Sequence, residues 1–194
     1  MSKRNVIFST APEDCFRILS IDGGGFRGVY AAHILDRIEQ EYDLDLQSHF
    51  QLIAGTSTGA IIAAGIACGM RVCDIVKFYE KHGSQIFPRQ IAPRFGFLKS
   101  RYRSQYLRSI LKDVFGDRSL GQVTTPLIIP ATDIGNGCVH VFKSAYDEGF
   151  VRDRDILIRD AVMASCSAPT YFDPQNVGEY LLADGGLWAN SPSL

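Results

Sequence analysis

Between the apolar run HFQLIA, His49 to Ala54, and the uncharged stretch AIIAAGIACGM, Ala60 to Met70, lies the pentapeptide GTSTG, Gly55 to Gly59. A short apolar run followed by a longer one rich in Ala and Ile reads as a strand leading into a helix. Ser57 therefore falls on the turn between them, with glycine two residues away on either side. A side chain at either glycine would collide with the neighbouring strand or helix, and the sharp bend pushes the Ser57 hydroxyl out beyond the sheet. Gly-x-Ser-x-Gly in this setting is the pattern of a nucleophile elbow. The alternative is a loop of small residues, so the rest of the chain has to discriminate.

Two further stretches bear on it. DGGGFRG, Asp22 to Gly28, follows the strand-like FRILSI and precedes the amphipathic VYAAHILDRIEQEY. Consecutive glycines at a helix start expose backbone N–H groups where the helix dipole already favours negative charge, so the loop can hold an oxyanion. DGG, Asp184 to Gly186, follows the apolar run YLLA and places a carboxylate at a strand end.

Taken together, a glycine-rich DGGGxRG loop, a Gly-x-Ser-x-Gly elbow and a late Asp-Gly-Gly, in that order, resemble the patatin-like phospholipase family. The resemblance spans residues 16 to 192, and none of the three motifs departs from the family pattern. It implies that Ser57 is the nucleophile and Asp184 its base, on an elbow flanked by Gly55 and Gly59. It implies an oxyanion hole from the amides of Gly23, Gly24 and Gly25, with Arg27 bracing that loop. The implied activity is a phospholipase A-type cleavage of glycerophospholipid esters, with neither cofactor nor metal. Some bacterial members are nucleotide-activated effectors that degrade membranes in phage defence, so a nucleotide activator is among the implied partners. The family continues into further helix past the point where this chain stops, ten residues after Asp184, so a shortened C-terminus is a further expectation.

Strand-like runs at Phe16 to Ile21, Phe50 to Ala54, Leu127 to Ala131, Val139 to Phe142 and Tyr180 to Ala183 alternate with helical patterns. The helical patterns cover Val29 to Tyr42, Ala60 to Cys68, Val72 to Lys81, Gln105 to Phe115 and Ile156 to Ala164. In the fourth helix Ser104 is the expected cap and Gly116 the stop. Such alternation predicts one domain, residues 1–194, with a three-layer α/β/α sandwich around a mainly parallel sheet. In sheets of this class, sites lie beyond the carboxyl ends of strands, where all three motifs fall.

Composition sets the outer bounds. The 194 residues suffice for one well-buried domain, and 46% hydrophobic with 21% charged residues is ordinary for a globular protein. A net charge of −1 gives no general attraction to nucleic acid. The five cysteines, Cys15, Cys68, Cys73, Cys138 and Cys166, are odd in number and scattered, form no CxxC and read as reduced thiols. The N-terminal MSKRNVIFSTAPEDCF has no continuous apolar core, which makes it a poor secretion signal and a cytoplasmic location the expectation. Leu52 to Met70 carries no charge over 19 residues. Half of it is the elbow, however, and the rest is too short to cross ~30 Å of hydrocarbon.

Between Glu80 and Asp113 there is no acid but eight bases, among them Arg89, Arg94, Lys99, Arg101 and Arg103, with aromatics interleaved. One reading is a solvated loop. The other is a flap over the site that touches an anionic lipid surface, holding the protein peripherally at the membrane.

Two rival chemistries use the same residues. Gly23, Gly25 and Gly28 also satisfy Gly-x-Gly-x-x-Gly, which would make the chain a non-catalytic dinucleotide-binding module. That fold wants an acid ending a second strand, whereas Asp43 and Asp45 fall in a helix-to-strand connection. A Ser-His-Asp triad in α/β-hydrolase order needs a late histidine. The last one, His140, lies inside the strand-like CVHVF and precedes Asp184, while His33, His49 and His82 come too early. A Ser-Asp dyad is the economical reading, and it requires burial to raise the basicity of a carboxylate whose usual pKa is about 4. Asp133 and Asp173 read as turn and loop residues.

Overall fold

The computed structural model describes residues 15–87 and 96–193, with side chains of the 96–103 segment excluded. The strands are β1 (Ile18–Ile21), β2 (Leu52–Gly55), β3 (Leu127–Asp133), β4 (Cys138–Lys143), β5 (Gln175–Val177) and β6 (Tyr180–Asp184). The helices are α1 (Gly28–Tyr42), α2 (Leu46–His49), α3 (Thr58–Ala67), α4 (Val72–Ile86), α5 (Gly96–Phe115) and α6 (Ile158–Ser165). The architecture is a β-sheet flanked by helices, in the three-layer α/β class. The sheet is mixed: β1, β2 and β3 run parallel, while β4 and β6 each pair antiparallel with β3, and β5 antiparallel with β6.

The register around β3 positions the site. On one edge, β4 covers Ile128 to Asp133. On the other edge, β2 pairs in parallel at Leu127 and Ile128, and β6 pairs antiparallel from Ala131 to Asp133. The carboxyl ends of β2 and β6 therefore approach each other head-on along one edge of β3, and Pro130 faces the gap between them. Proline suits this place. Even-numbered β3 residues turn their backbone polar groups towards that edge, a pattern that Ile134, just past the strand end, continues by donating to Leu181 O at 2.9 Å. At Pro130 no strand is present to accept an N–H, so its absence there costs nothing.

Helix α3 is buried along its whole length, from Thr58 to Ala67. Its apolar character on all sides is that of a core helix, and it packs on β2 while α6 packs on β3, β5 and β6. Ile53, Ile62, Ile66, Leu127, Ile129 and Phe142 fill the space between.

Several elements differ from the sequence expectation, α4 among them, which runs on to Ile86 rather than ending at Lys81. Helix α5 begins at Gly96 rather than Gln105, which leaves Ser104 inside the helix. The Ser104 hydroxyl accepts from Asp173 N–H at 3.1 Å instead of capping. Gly116 ends α5 with φ +58, its N–H donating to Lys112 O at 2.8 Å. Strand β5 and the single turn α2 carry too few residues to show a period.

Candidate active site

Ser57 sits between β2 and α3 with φ 55° and ψ −124°, a left-handed conformation that costs a residue with a side chain on the order of 1–3 kcal/mol. The flanking glycines make the turn possible. A Cβ on Gly55 would stand 2.7 Å from Ala63 Cβ of α3, and one on Gly59 would stand 2.7 Å from Asp22 O at the end of β1. The strained turn aims the hydroxyl at β6, where Ser57 Oγ donates to Asp184 Oδ2 at 2.7 Å.

Asp184 is the last residue of β6 and 5% exposed. Its Oδ1 accepts from Gly186 N–H at 2.6 Å, its N–H donates to Ser167 O at 3.0 Å, and its carbonyl accepts from Thr132 Oγ1 at 2.7 Å. Burial pushes the carboxyl pKa above its usual value, against the opposing hydrogen bonds from Ser57 and Gly186. The side chain thus holds a proton more readily than an exposed aspartate.

The glycine loop differs in detail from the expected arrangement. Gly23 donates its N–H to Asn190 O at 2.9 Å, and Gly24 donates its N–H to Thr58 Oγ1 at 3.1 Å. Both amides are committed to holding the loop, so of the three glycines only Gly25, at φ +56, presents an N–H without an acceptor among the described residues. The N–H groups of Phe26 and Thr58 are open in the same sense. Arg27 donates its N–H to Gly24 O at 3.1 Å, closing the short turn from Gly25 to Arg27. Its exposed side chain lines the cleft and makes no ion pair among the described residues.

That cleft, of about 480 Å³, is bounded by the loop from Gly24 to Arg27, by Ser57, and by Phe87, Cys166, Tyr171 and Phe172. Phe87 and Phe172 meet edge to face at 6.1 Å. The remaining basic residues of the expected flap, Arg89, Arg94, Lys99, Arg101 and Arg103, lie outside the residues whose side chains are described.

No histidine among the described residues bonds to Ser57 or Asp184. His140 lies on the other edge of β3, its ring between Phe142 at 4.5 Å and Tyr180 at 4.7 Å. His82 meets the Tyr106 hydroxyl at 2.9 Å. Asp133 accepts from the N–H groups of Gly135 and Asn136 in a tight turn. Asp43 ends α1 and Asp45 caps α2, so neither terminates a strand as a ribose-binding acid would. No group of metal ligands occurs among the described residues.

Sequence reading missed Thr58, Asn190 and Ser165. Thr58 is within the quoted pentapeptide and Asn190 within six residues of Asp184, so proximity to the motifs was the available signal. Ser165 had none beyond being a polar residue in an apolar helix end.

The site thus places a serine in hydrogen-bond contact with a carboxylate at a strand-to-helix elbow, beside a glycine-rich loop with open amides. The model of the family described as patatin-like phospholipase matches residues 19–193, and the chain belongs to that family. It is 32% identical over 182 residues to a cGAMP-activated phospholipase of Pseudomonas aeruginosa, covering 92% of this chain and 55% of that protein. It is 31% identical to patatin-like protein 2 of rice, covering 96% of this chain and 53% of that protein. Among solved structures, VipD of Legionella pneumophila superposes with a TM-score of 0.59 at 15% identity, covering 91% of this chain and 46% of VipD, a likeness of fold. The chain spans about half the length of the curated relatives it matches.

Proposed function

We propose that this chain carries the catalytic centre of a lipid acyl hydrolase, with Ser57 as nucleophile and Asp184 as general base. The observation that carries the reading is the 2.7 Å hydrogen bond from Ser57 Oγ to Asp184 Oδ2 at the mouth of a largely apolar cleft. Asp184 takes the Ser57 proton as Oγ attacks the ester carbonyl, and the carbonyl oxygen becomes an oxyanion facing open N–H groups of the loop. The bond to the leaving alcohol breaks, and that alcohol takes the proton from Asp184. Water then gives a proton to Asp184 and attacks the acyl-enzyme, releasing the fatty acid as Ser57 recovers its proton. Amide donors matter because they strengthen as charge develops, and losing one typically costs ~3 kcal/mol in barrier.

Substrate class follows from the lining. Phe26, Phe87, Tyr171 and Phe172 give an acyl chain apolar walls, and the Arg27 guanidinium offers a partner to the phosphate of a glycerophospholipid. Among the described residues no helix is long and apolar enough to cross a membrane, and access to a bilayer is proposed to be peripheral, from the cytoplasmic side. The relatives named for activation by cGAMP or cUMP-AMP make a cyclic dinucleotide the activator to try first. The dinucleotide-module alternative is weakened by the commitment of the Gly23 and Gly24 amides to Asn190 and Thr58.

Hydrolysis of a chromogenic acyl ester and of phospholipid vesicles, with and without a fluorophosphonate and with and without cyclic dinucleotide, tests the reading. The expected result is ester turnover abolished by stoichiometric labelling of Ser57. Labelling elsewhere, or binding of NAD or NADP without any ester turnover, overturns it.

A further inference from the structure

The hydroxyl of Ser165, the last residue of α6, is fully buried and makes two bonds that reach the catalytic pair from behind. Ser57 N–H donates to Ser165 Oγ at 2.9 Å, and Ser165 Oγ–H donates to Pro130 O at 2.6 Å. Two residues on, Ser167 O accepts the N–H of Asp184 at 3.0 Å. One helix corner therefore holds the backbone of both members of the dyad. The Ser165 hydroxyl also fills the gap in which β2 and β6 meet head-on, satisfying the Pro130 carbonyl that no strand reaches.

We infer that Ser165 is a positioning residue for ester hydrolysis, fixing the backbone of Ser57 in its strained turn and setting the separation between Ser57 Oγ and Asp184. The inference rests on the serine hydrolase reading above. Ser57 holds φ 55°, a conformation that persists only where surrounding bonds over-determine it. The carbonyl of Ser57 is taken by Ala60 N–H at 2.8 Å within the first turn of α3, so its N–H is the remaining backbone handle, and Ser165 holds it. The tie to Pro130 registers that handle against β3, whose next residue, Ala131, pairs with Asp184. Loss of the hydroxyl frees Ser57 to relax, and a displacement near 1 Å from productive geometry can cost about a hundredfold in rate.

The test compares Ser165→Ala and Ser165→Cys with Ser144→Ala. Ser144 is an equally buried hydroxyl that accepts Leu127 N–H at 2.9 Å at the other edge of β3, away from the dyad. A merely structural serine predicts similar losses of melting temperature for the two alanine variants and no change in kcat of the folded fraction. The positioning role predicts that Ser165→Ala lowers kcat and the rate of fluorophosphonate labelling by about tenfold to a hundredfold. KM for a soluble ester stays within about twofold, Ser165→Cys falls between, and Ser144→Ala keeps its kcat. If Ser165→Ala does not fold, Ser165→Cys decides: a kcat equal to that of wild type overturns the inference, and a fall of about fivefold or more supports it. A folded Ser165→Ala that keeps more than half of wild-type kcat also overturns it. Wild-type protein that neither hydrolyses ester nor labels at Ser57 instead refutes the hydrolase reading, a distinguishable result.

Discussion

Ser57 and Asp184 are 127 positions apart in sequence, yet the hydroxyl of one donates to the carboxylate of the other at 2.7 Å. Each terminates a different approach to the same edge of β3, so the pair is a product of sheet register rather than of any local motif.

Replacing Ser57 by Ala removes the proposed nucleophile with a small change in volume. Ester turnover and fluorophosphonate labelling should fall to background while the thermal melt stays within a few degrees of wild type. Mass spectrometry of labelled wild-type protein should place the adduct on Ser57.

Burial raises the Asp184 pKa, and this has consequences of opposite sign for rate and stability. Only the ionised form accepts the Ser57 proton, so the labelling rate should fall as pH drops through a value above the ordinary aspartate range of about 4. For stability, a raised folded pKa means that folding favours the protonated form. That contribution is complete below the unfolded pKa and is lost as pH rises through the folded one. Asp184→Asn should therefore lose at least tenfold in turnover and yet melt higher than wild type at pH 7, at ~2–4 °C per kcal/mol for a chain of this size. The difference should narrow in acid. Calorimetric melts of both proteins from pH 4 to pH 8 measure it.

The glycine loop separates two neighbours that look alike in sequence. At Gly24, φ is −170° and a methyl group would meet Arg27 Cβ at an ordinary 3.5 Å, so Gly24→Ala should fold and retain turnover within about threefold. At Gly25, φ is +56°, which costs a residue with a side chain on the order of 1–2 kcal/mol. Gly25→Ala should lower kcat by about tenfold or more with little change in KM, because relaxing φ turns the open amide away. Steady-state kinetics on both variants, alongside their melts, checks this.

The Arg27 guanidinium at the cleft, which makes no ion pair among the described residues, gives a further handle. Arg27→Ala should raise KM about tenfold for a phospholipid while leaving KM for a neutral short-chain ester within about twofold, as loss of a charge-assisted bond predicts. Equal changes for both substrates would remove Arg27 from headgroup recognition.

Much of the candidate site can be read from the chain alone: Gly55 and Gly59 flank Ser57 by steric need, while Asp184 enters through the resemblance of its motif to the family pattern. The close approach of α3 to β1 leaves Gly59 no room for a side chain, and such a constraint is written locally. What the sequence hides is pairing at a distance. Nothing near Gly24 announces that Thr58 will take its N–H, and nothing in the Ala-rich end of α6 marks Ser165 as the partner of the elbow. The antiparallel entry of β6 is hidden for the same reason, since strand direction depends on which edge of β3 remains open. The first turns of α5 are hidden because Lys99, Arg101 and Arg103 are interleaved with the aromatics there and suggest a basic loop, and β5 is hidden because three residues cannot show a period.

The head-on meeting of β2 and β6 also bears on when, on the proposed reading, the site is completed during synthesis. A ribosome delivers the elbow early and β6 late, and until β6 has docked against β3 the serine has no base. On the proposed reading, a growing or partly folded chain lacks the Ser57–Asp184 pairing and is inactive for that reason. On the same reading, loosening the β6 pairing at Thr132 or Asp133 would lower activity before it unfolded the protein.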